Sequence, residues 1–349
     1  MARATLGTAK RIVLRFAAAL LIVAGALALA VCAWMAFTQH ARTQRETQSA
    51  EQLAADKGRW IAVSDADLYV QEWGRPGDPT VLLTHGTGAW SGTWFGLPAV
   101  LAESGWRVVA VDLPPFGLTK TRGADTAVDY TRTAQARRLL MLIEQLGAPV
   151  TLVGHSFGAG PALEAALLGA AQLRQLVLVD PALGLGPNGE PPSCDEAAEG
   201  GLLSHRPMRT ALVSATATWP GLTGLMLRQF VHRKEVVTEQ LVPAYQMPFQ
   251  RAAFSARLGD WAASFARASC ETALSLEPER LTQWAARGLP IDLIWGEADS
   301  ITPLAQGRAL QRWMPGTPLT TLPEVGHIPH IENPPAFATA LLDVIRRAR

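Results

Sequence analysis

The chain has 349 residues, 48% of them hydrophobic and 17% charged, with a formal net charge of +1. Such a length exceeds one typical domain and can bury a large core. The near-neutral balance offers no basic field for a nucleic acid or a polybasic membrane contact. The 3 cysteines and 7 histidines fit no zinc-ligand spacing, so no metal and no organic cofactor is expected.

Residues 1–15 form a short tail carrying Arg3, Lys10, Arg11 and Arg15. Residues 16–37 hold no charge. At about 1.5 Å per residue, this run is long enough to cross a hydrocarbon core of about 30 Å. The positive excess precedes it, which predicts a cytoplasmic N-terminus and a catalytic portion outside the cytoplasm, periplasmic in a Gram-negative cell. Trp34 and Phe37 stand where an interfacial belt is expected. A cleaved signal peptide is the rival reading, but its apolar core spans only about 7–15 residues. Residues 38–58 are polar and read as a linker or short helix with no chemistry of their own.

From residue 59 the pattern changes. Trp60–Val63 and Ala66–Trp73 read as strands around a Ser64-Asp65 turn. Thr80–Thr84 and Arg107–Val111 are continuous apolar runs, as in strands buried on both faces, with a helix near Leu97–Ser104 between them. Residues 131–146 place Leu139, Leu142, Ile143 and Leu146 on one helical face. Val150–Val153 then runs into Gly154-His155-Ser156-Phe157-Gly158, followed by a small-residue helix to about Gly169. This G-x-S-x-G sits between a strand and a helix, the context in which a serine hydroxyl is exposed on a strained turn. Gln175–Val179 forms another strand, closing with Asp180-Pro181. Residues 59–183 therefore alternate strand and helix, which predicts a parallel α/β sheet with ligands at the strands' C-terminal ends.

Residues 184–289 break the alternation and read as an inserted set of helices rich in large apolar side chains, some of them suited to lining a substrate cavity. Cys194 and Cys270 lie here; a disulfide between them and two separate thiols both remain open. Residues 290–349 resume with a strand at Ile291–Trp295 that runs into Glu297-Ala298-Asp299. A helix around Leu304–Trp313 and a strand at Pro318–Leu322 follow. His327 comes next in a loop, and Asn333-Pro334-Pro335 opens a closing helix to about Arg347.

His85-Gly86, the serine pentapeptide, Asp299 after a strand, and Gly326-His327 ahead of Glu332-Asn333-Pro334 resemble the α/β-hydrolase superfamily. The resemblance covers residues 60–183 and 290–349. It implies a mostly parallel, doubly wound sheet with an inserted helical cap, here behind an N-terminal transmembrane helix. The order Ser, Asp, His matches the family order. Ser156 is then the nucleophile, His327 its base, and Asp299 the carboxylate that fixes the imidazole. The backbone N–H of Phe157 follows the nucleophile and serves as one oxyanion donor; the resemblance places the second at Thr87. Pro115 departs from the family, where glycine is common after the first proline of its loop. Asp180 is the rival acid and His330 the rival base. Asp112 is expected to brace its loop, and His85 and His155 to make structural hydrogen bonds. Nothing assigns His205 or His232.

Three functions fit these residues. The leading one is a membrane-anchored serine hydrolase acting on a small, apolar acyl ester or related compound through an acyl-enzyme. A carbon–carbon bond hydrolase of diketone-like substrates uses the same residues, and a non-catalytic accessory protein of a membrane pathway is the third. The serine argues against haloalkane dehalogenase or epoxide hydrolase chemistry, whose relatives carry Asp at the elbow. Oligomeric state is left open.

Overall fold

The computed structural model describes residues 2–122, 128–147, 149–169, 171–190, 204–268, 273–286 and 288–347. Cys194 and Cys270 lie outside the described residues; Cys32 sits on an exposed helix face.

The apolar runs become one twisted sheet. Strands β1 (Arg59–Ala62), β2 (Ala66–Trp73), β3 (Thr80–Thr84), β4 (Arg107–Val111), β6 (Val150–His155), β7 (Leu173–Val179), β8 (Ile291–Gly296) and β9 (Leu319–Leu322) lie in the order β1-β2-β4-β3-β6-β7-β8-β9. The two-residue β5 (Lys120–Thr121), which no sequence pattern announced, pairs with β2. From β4 to β9 all neighbours are parallel, while β1 and β2 join antiparallel at one edge. Every residue of β3, β6 and β8 is buried, which is why these runs are largely apolar rather than alternating.

Helices cover both faces. Side chains of successive strand residues point to opposite sides, so Leu82 joins a core with Leu139 and Leu142 of α4 (Arg132–Leu146), Leu163 of α5 (Ala159–Leu168) and Leu310 of α11 (Leu304–Trp313). Val81 and Leu83 pack on the other face with Leu101 of α3 (Leu97–Glu103) and Phe337 and Leu341 of α13 (Pro334–Arg346). Local chemistry fixes the helix ends. The Thr131 side chain accepts from the Ala134 N–H to cap α4, and Gly147 closes it at φ +66°. Between β7 and β8 the described residues form helices only: α6 (Arg206–Ala215), α7 (Pro220–Phe230), α8 (Val242–Gln246), α9 (Phe254–Ala268) and α10 (Pro278–Ala285).

The N-terminal helix α1 (Ala2–Arg45) is longer than the apolar run that predicts it. Its segment from Leu14 contains a window of mean hydropathy 2.6 with no residue of that window buried, so by length and composition it could cross a bilayer. Within residues 38–58 the helix continues to Arg45 and a short helix, α2 (Ala50–Ala54), follows, while α1 packs against α6 of the helical insertion. Trp34 and Phe37 meet Trp219 edge-on at 5.1 and 5.6 Å between ring centroids. Thr38 is fully buried. Polar groups of this stretch find partners in the insertion rather than in water, Gln39 at Ser214 and Glu46 at Ser255.

Candidate active site

The functional side chains stand on loops at the C-terminal ends of β3, β6, β8 and β9, where an α/β sheet binds ligands. Ser156 follows β6 with φ +50°, a strained conformation for a residue with a side chain. The turn closes because glycine flanks it. A Cβ on Gly154 would lie 2.6 Å from the Ala159 Cα, and one on Gly158 would lie 2.5 Å from the His85 carbonyl oxygen. Beyond the turn a single 3-10 turn, Ser156–Gly158, leads into α5.

The structure brings Ser156, His327 and Asp299 together. The Ser156 hydroxyl donates to His327 Nε2 over 2.7 Å, and His327 Nδ1–H donates to Asp299 Oδ2 over 2.8 Å. All three are buried. Asp299 also accepts the Thr302 hydroxyl at 2.6 Å and the N–H groups of Ile301 and Thr302. Burial works against its charge, yet the hydrogen bonds from His327 and Thr302 outweigh it and hold its carboxyl below the usual value. Asp299 thus stays an acceptor, and that fixes the proton of His327 on Nδ1 and leaves Nε2 free to accept.

Asp180, the rival acid, ends β7 next to this cluster, but its Oδ1 accepts the Gly296 N–H at 2.8 Å rather than touching the imidazole. Burial, then the neighbouring Asp299 charge, pushes its carboxyl well above the ordinary value. His330, the rival base, is buried against the Trp94 ring at 4.5 Å. Burial lowers its basicity well below normal. His85 donates from Nδ1 to the Gly86 carbonyl at 2.8 Å and accepts the Leu113 N–H at 3.0 Å. His155 donates from Nε2 to the His327 carbonyl at 2.8 Å. Burial lowers their pKa values to about 4 and about 3, so both are neutral, structural groups. Asp112 accepts the N–H groups of Ser91 and Leu118. It thereby braces the loop of Pro114 and Pro115, whose peptide bond is cis.

Two supporting residues carried no sequence signal strong enough to name them. Thr302 holds Asp299 as described. The buried carboxylate of Glu332 accepts N–H groups from Gly326, His232 and Arg233 at 2.8–3.1 Å, tying the His327 loop to the end of α7. A threonine three residues after a strand-end aspartate was the available hint for the first. Glu332 was read only as part of a motif.

Above Ser156 lies a cavity of about 190 Å³. Gly86 and Thr87 border it beside the hydroxyl, and Phe157 follows the nucleophile, so both expected oxyanion residues are at hand. One wall is a stripe of α7, namely Thr223, Met226, Leu227 and Phe230. Another is a stripe of α9, from Phe254 through Leu258 to Trp261. Both follow helical spacing. Among the described residues no cluster of His, Cys, Asp or Glu could hold a metal ion.

A family model described as "Alpha/beta hydrolase family" matches residues 81–340. The chain belongs to the α/β-hydrolase family. Among this hydrolase's relatives is the uncharacterized hydrolase YugF of Bacillus subtilis, 28% identical over 310 residues, which span 82% of this chain and 97% of that one. The hydrolase fold also matches the solved structure of an esterase from Exiguobacterium antarcticum, with a TM-score of 0.64, 19% identity and coverage of 83% and 99% of the two chains. A structure titled as a membrane phospholipase A, a bacterial virulence factor, matches with a TM-score of 0.58 and 22% identity. That match covers 97% of this hydrolase and 99% of its counterpart.

Proposed function

We propose that this hydrolase cleaves an ester of an apolar acyl group through a Ser156–His327–Asp299 triad, working on the outer side of a membrane to which α1 anchors it. The observation that carries this reading is the unbroken hydrogen-bond chain from the Ser156 hydroxyl to the Asp299 carboxylate at the floor of an apolar cavity.

The steps follow from the geometry. Ser156 Oγ attacks the ester carbonyl as its proton passes to His327 Nε2. Asp299 stabilises the imidazolium without taking the proton. The oxyanion is received by the N–H groups of Phe157 and Thr87, each such donor lowering the barrier by about 3 kcal/mol. The carbonyl then re-forms, the bond to the alcohol oxygen breaks, and the imidazolium hands its proton to that leaving group. Water, deprotonated by His327, releases the acid and restores the hydroxyl.

The apolar lining favours a hydrocarbon acyl group. From Thr223 to Phe230 the wall extends about 10 Å along α7, the reach of a medium-length chain. In this reading the aromatic cluster of Trp34, Phe37 and Trp219 lies where an anchored helix would leave the bilayer. Leu212 of α6 and Leu225 of α7 are exposed apolar side chains on the helices beside it. The related structure named for a membrane phospholipase A agrees with such a substrate source. The basic residues ahead of the apolar run support a cytoplasmic N-terminus in this reading.

A fluorophosphonate probe on the folded protein tests the reading, together with ester turnover across acyl lengths. Labelling should vanish in Ser156→Ala, and turnover should fall by about 10⁶-fold. An active Ser156→Ala protein refutes the assignment. Faster cleavage of a diketone than of any ester supports the carbon–carbon hydrolase instead, and absence of both labelling and turnover supports the accessory role.

A further inference from the structure

The segment after the apolar run touches the same helices that wall the cavity, from behind. Val213, Ala217 and Phe254 line the cavity. Of their immediate neighbours, Ser214 and Ser255 bond to the juxtamembrane segment, and Thr218 bonds to Ser255. The Ser214 hydroxyl is 3.3 Å from Gln39 Oε1. Trp34 Nε1–H donates to the Ala215 carbonyl at 3.3 Å. Arg45 Nε–H donates at 3.2 Å to the carbonyl of Phe249, itself a lining residue. Gln48 pairs with Arg251 as a short parallel bridge.

Glu46 is the centre of this contact. It is buried, and one carboxylate oxygen accepts both the Ser255 hydroxyl and the Ser255 N–H, the latter at 3.2 Å. Its other oxygen accepts from Arg42 Nη1 at 3.3 Å. The Thr218 hydroxyl lies 2.6 Å from the Ser255 hydroxyl, so the α6–α7 turn joins the same chain. Ser255 belongs to the first turn of α9, whose N–H groups have no partner within the helix. A carboxylate there satisfies one of them and meets the positive end of the helix dipole. Glu46 therefore caps α9 from another part of the chain and locks it to the α6–α7 turn.

We propose that Glu46, at the foot of the anchor helix, is a positioning residue that sets how long an acyl group the cavity accepts. Ala217 and Phe254 line the cavity next to Thr218 and Ser255, and Glu46, through Ser255, ties α9 to the α6–α7 turn, so on this proposal the tie sets the spacing of the wall that a longer chain reaches. A residue that only stabilised the fold would lower turnover of all esters alike. A residue that spaces the far wall acts on long chains, because a short acyl group occupies only the end nearest Ser156. The inference rests on the acyl-ester reading of the cavity.

The test compares full-length wild type, Glu46→Ala, Glu46→Gln and Ser255→Ala in detergent micelles. The ratio of kcat/KM for 4-nitrophenyl decanoate to that for 4-nitrophenyl acetate should fall roughly tenfold in Glu46→Ala, through KM, as expected for loss of a charge-assisted hydrogen bond. Glu46→Gln keeps an acceptor for Ser255 and should restore most of the ratio. Ser255→Ala removes the partner from the insertion side, leaves the anchor intact, and should reproduce the loss should Glu46→Ala fail to fold. A second readout needs no turnover: in a Ser156→Ala background, a brominated decanoate quenches tryptophan fluorescence on binding beside Trp261, and its Kd should rise by the same factor. Equal loss on acetate and decanoate, or wild-type ratios and Kd in all variants, overturns the proposal. If no ester is turned over by any protein, the acyl-ester reading fails, while the bromodecanoate Kd still decides the role of Glu46.

Discussion

His85 gives a measurable link between acid and stability. Its imidazole is fully buried, and burial lowers its pKa from 6.5 to about 4. The native state therefore refuses a proton that the unfolded chain accepts. For a base lowered on folding, stability is complete above pH 6.5 and is lost as pH falls from there to about 4. Across that window the loss is about 3 kcal/mol, accumulating at about 1.4 kcal/mol per pH unit. His155, lowered to about 3, acts in the same direction. Asp112, raised to about 6 mainly by burial, acts oppositely because the native state binds its proton first. The difference between wild type and His85→Gln cancels these shared contributions. Urea unfolding of both proteins, followed by tryptophan fluorescence from about pH 7 to about pH 4.5, reads that difference. The variant's stability should fall less steeply with acid, by about 1.4 kcal/mol per unit in the middle of the window. Parallel profiles would refute the assignment of His85 as a group held neutral by burial.

Asp299→Asn should cost about 10⁴ in kcat, since an amide facing Nδ1 reverses the imidazole tautomer. Asp180→Asn, at a residue that accepts the Gly296 N–H and does not touch the imidazole, should stay within about threefold. Steady-state ester hydrolysis separates the two; comparable losses would return Asp180 to the mechanism. In Gly86→Ala the new methyl would sit 2.9 Å from His155 Nδ1 and 3.1 Å from the Ser156 Cβ. Turnover should fall at least about tenfold through kcat, with the fold retained by circular dichroism. Wild-type kcat in this variant would show that the loop yields more freely than its packing suggests.

The sheet could be read from sequence because strands buried on both faces are mostly apolar without alternation, as Val81–Leu83 of β3, Val108–Val111 of β4 and Leu293–Trp295 of β8 are. The elbow could be read because the tight turn itself requires glycine at Gly154, where a Cβ would meet Ala159 five residues on, and the serine stands between a strand and a helix. Residues 34–48 could not. Their partners lie some two hundred positions away, between Ser214 and Ser255, and neither periodicity nor composition records a pairing of that kind. Glu332 was hidden for a related reason: its acceptors serve backbone N–H groups, which every sequence carries alike. Asp299 and Asp180 both stand at strand ends; the family resemblance favours Asp299, and it is Asp299 that meets the imidazole while Asp180 accepts the Gly296 N–H.

The tie made by Glu332 limits how the site can open. His327 N–H donates to the Phe230 carbonyl, and the same short stretch is clasped by Glu332, so the end of α7 travels with the general base. Swinging that end outward would drag the imidazole off the serine. Any widening of the cavity that keeps the triad intact must therefore leave the end of α7 in place.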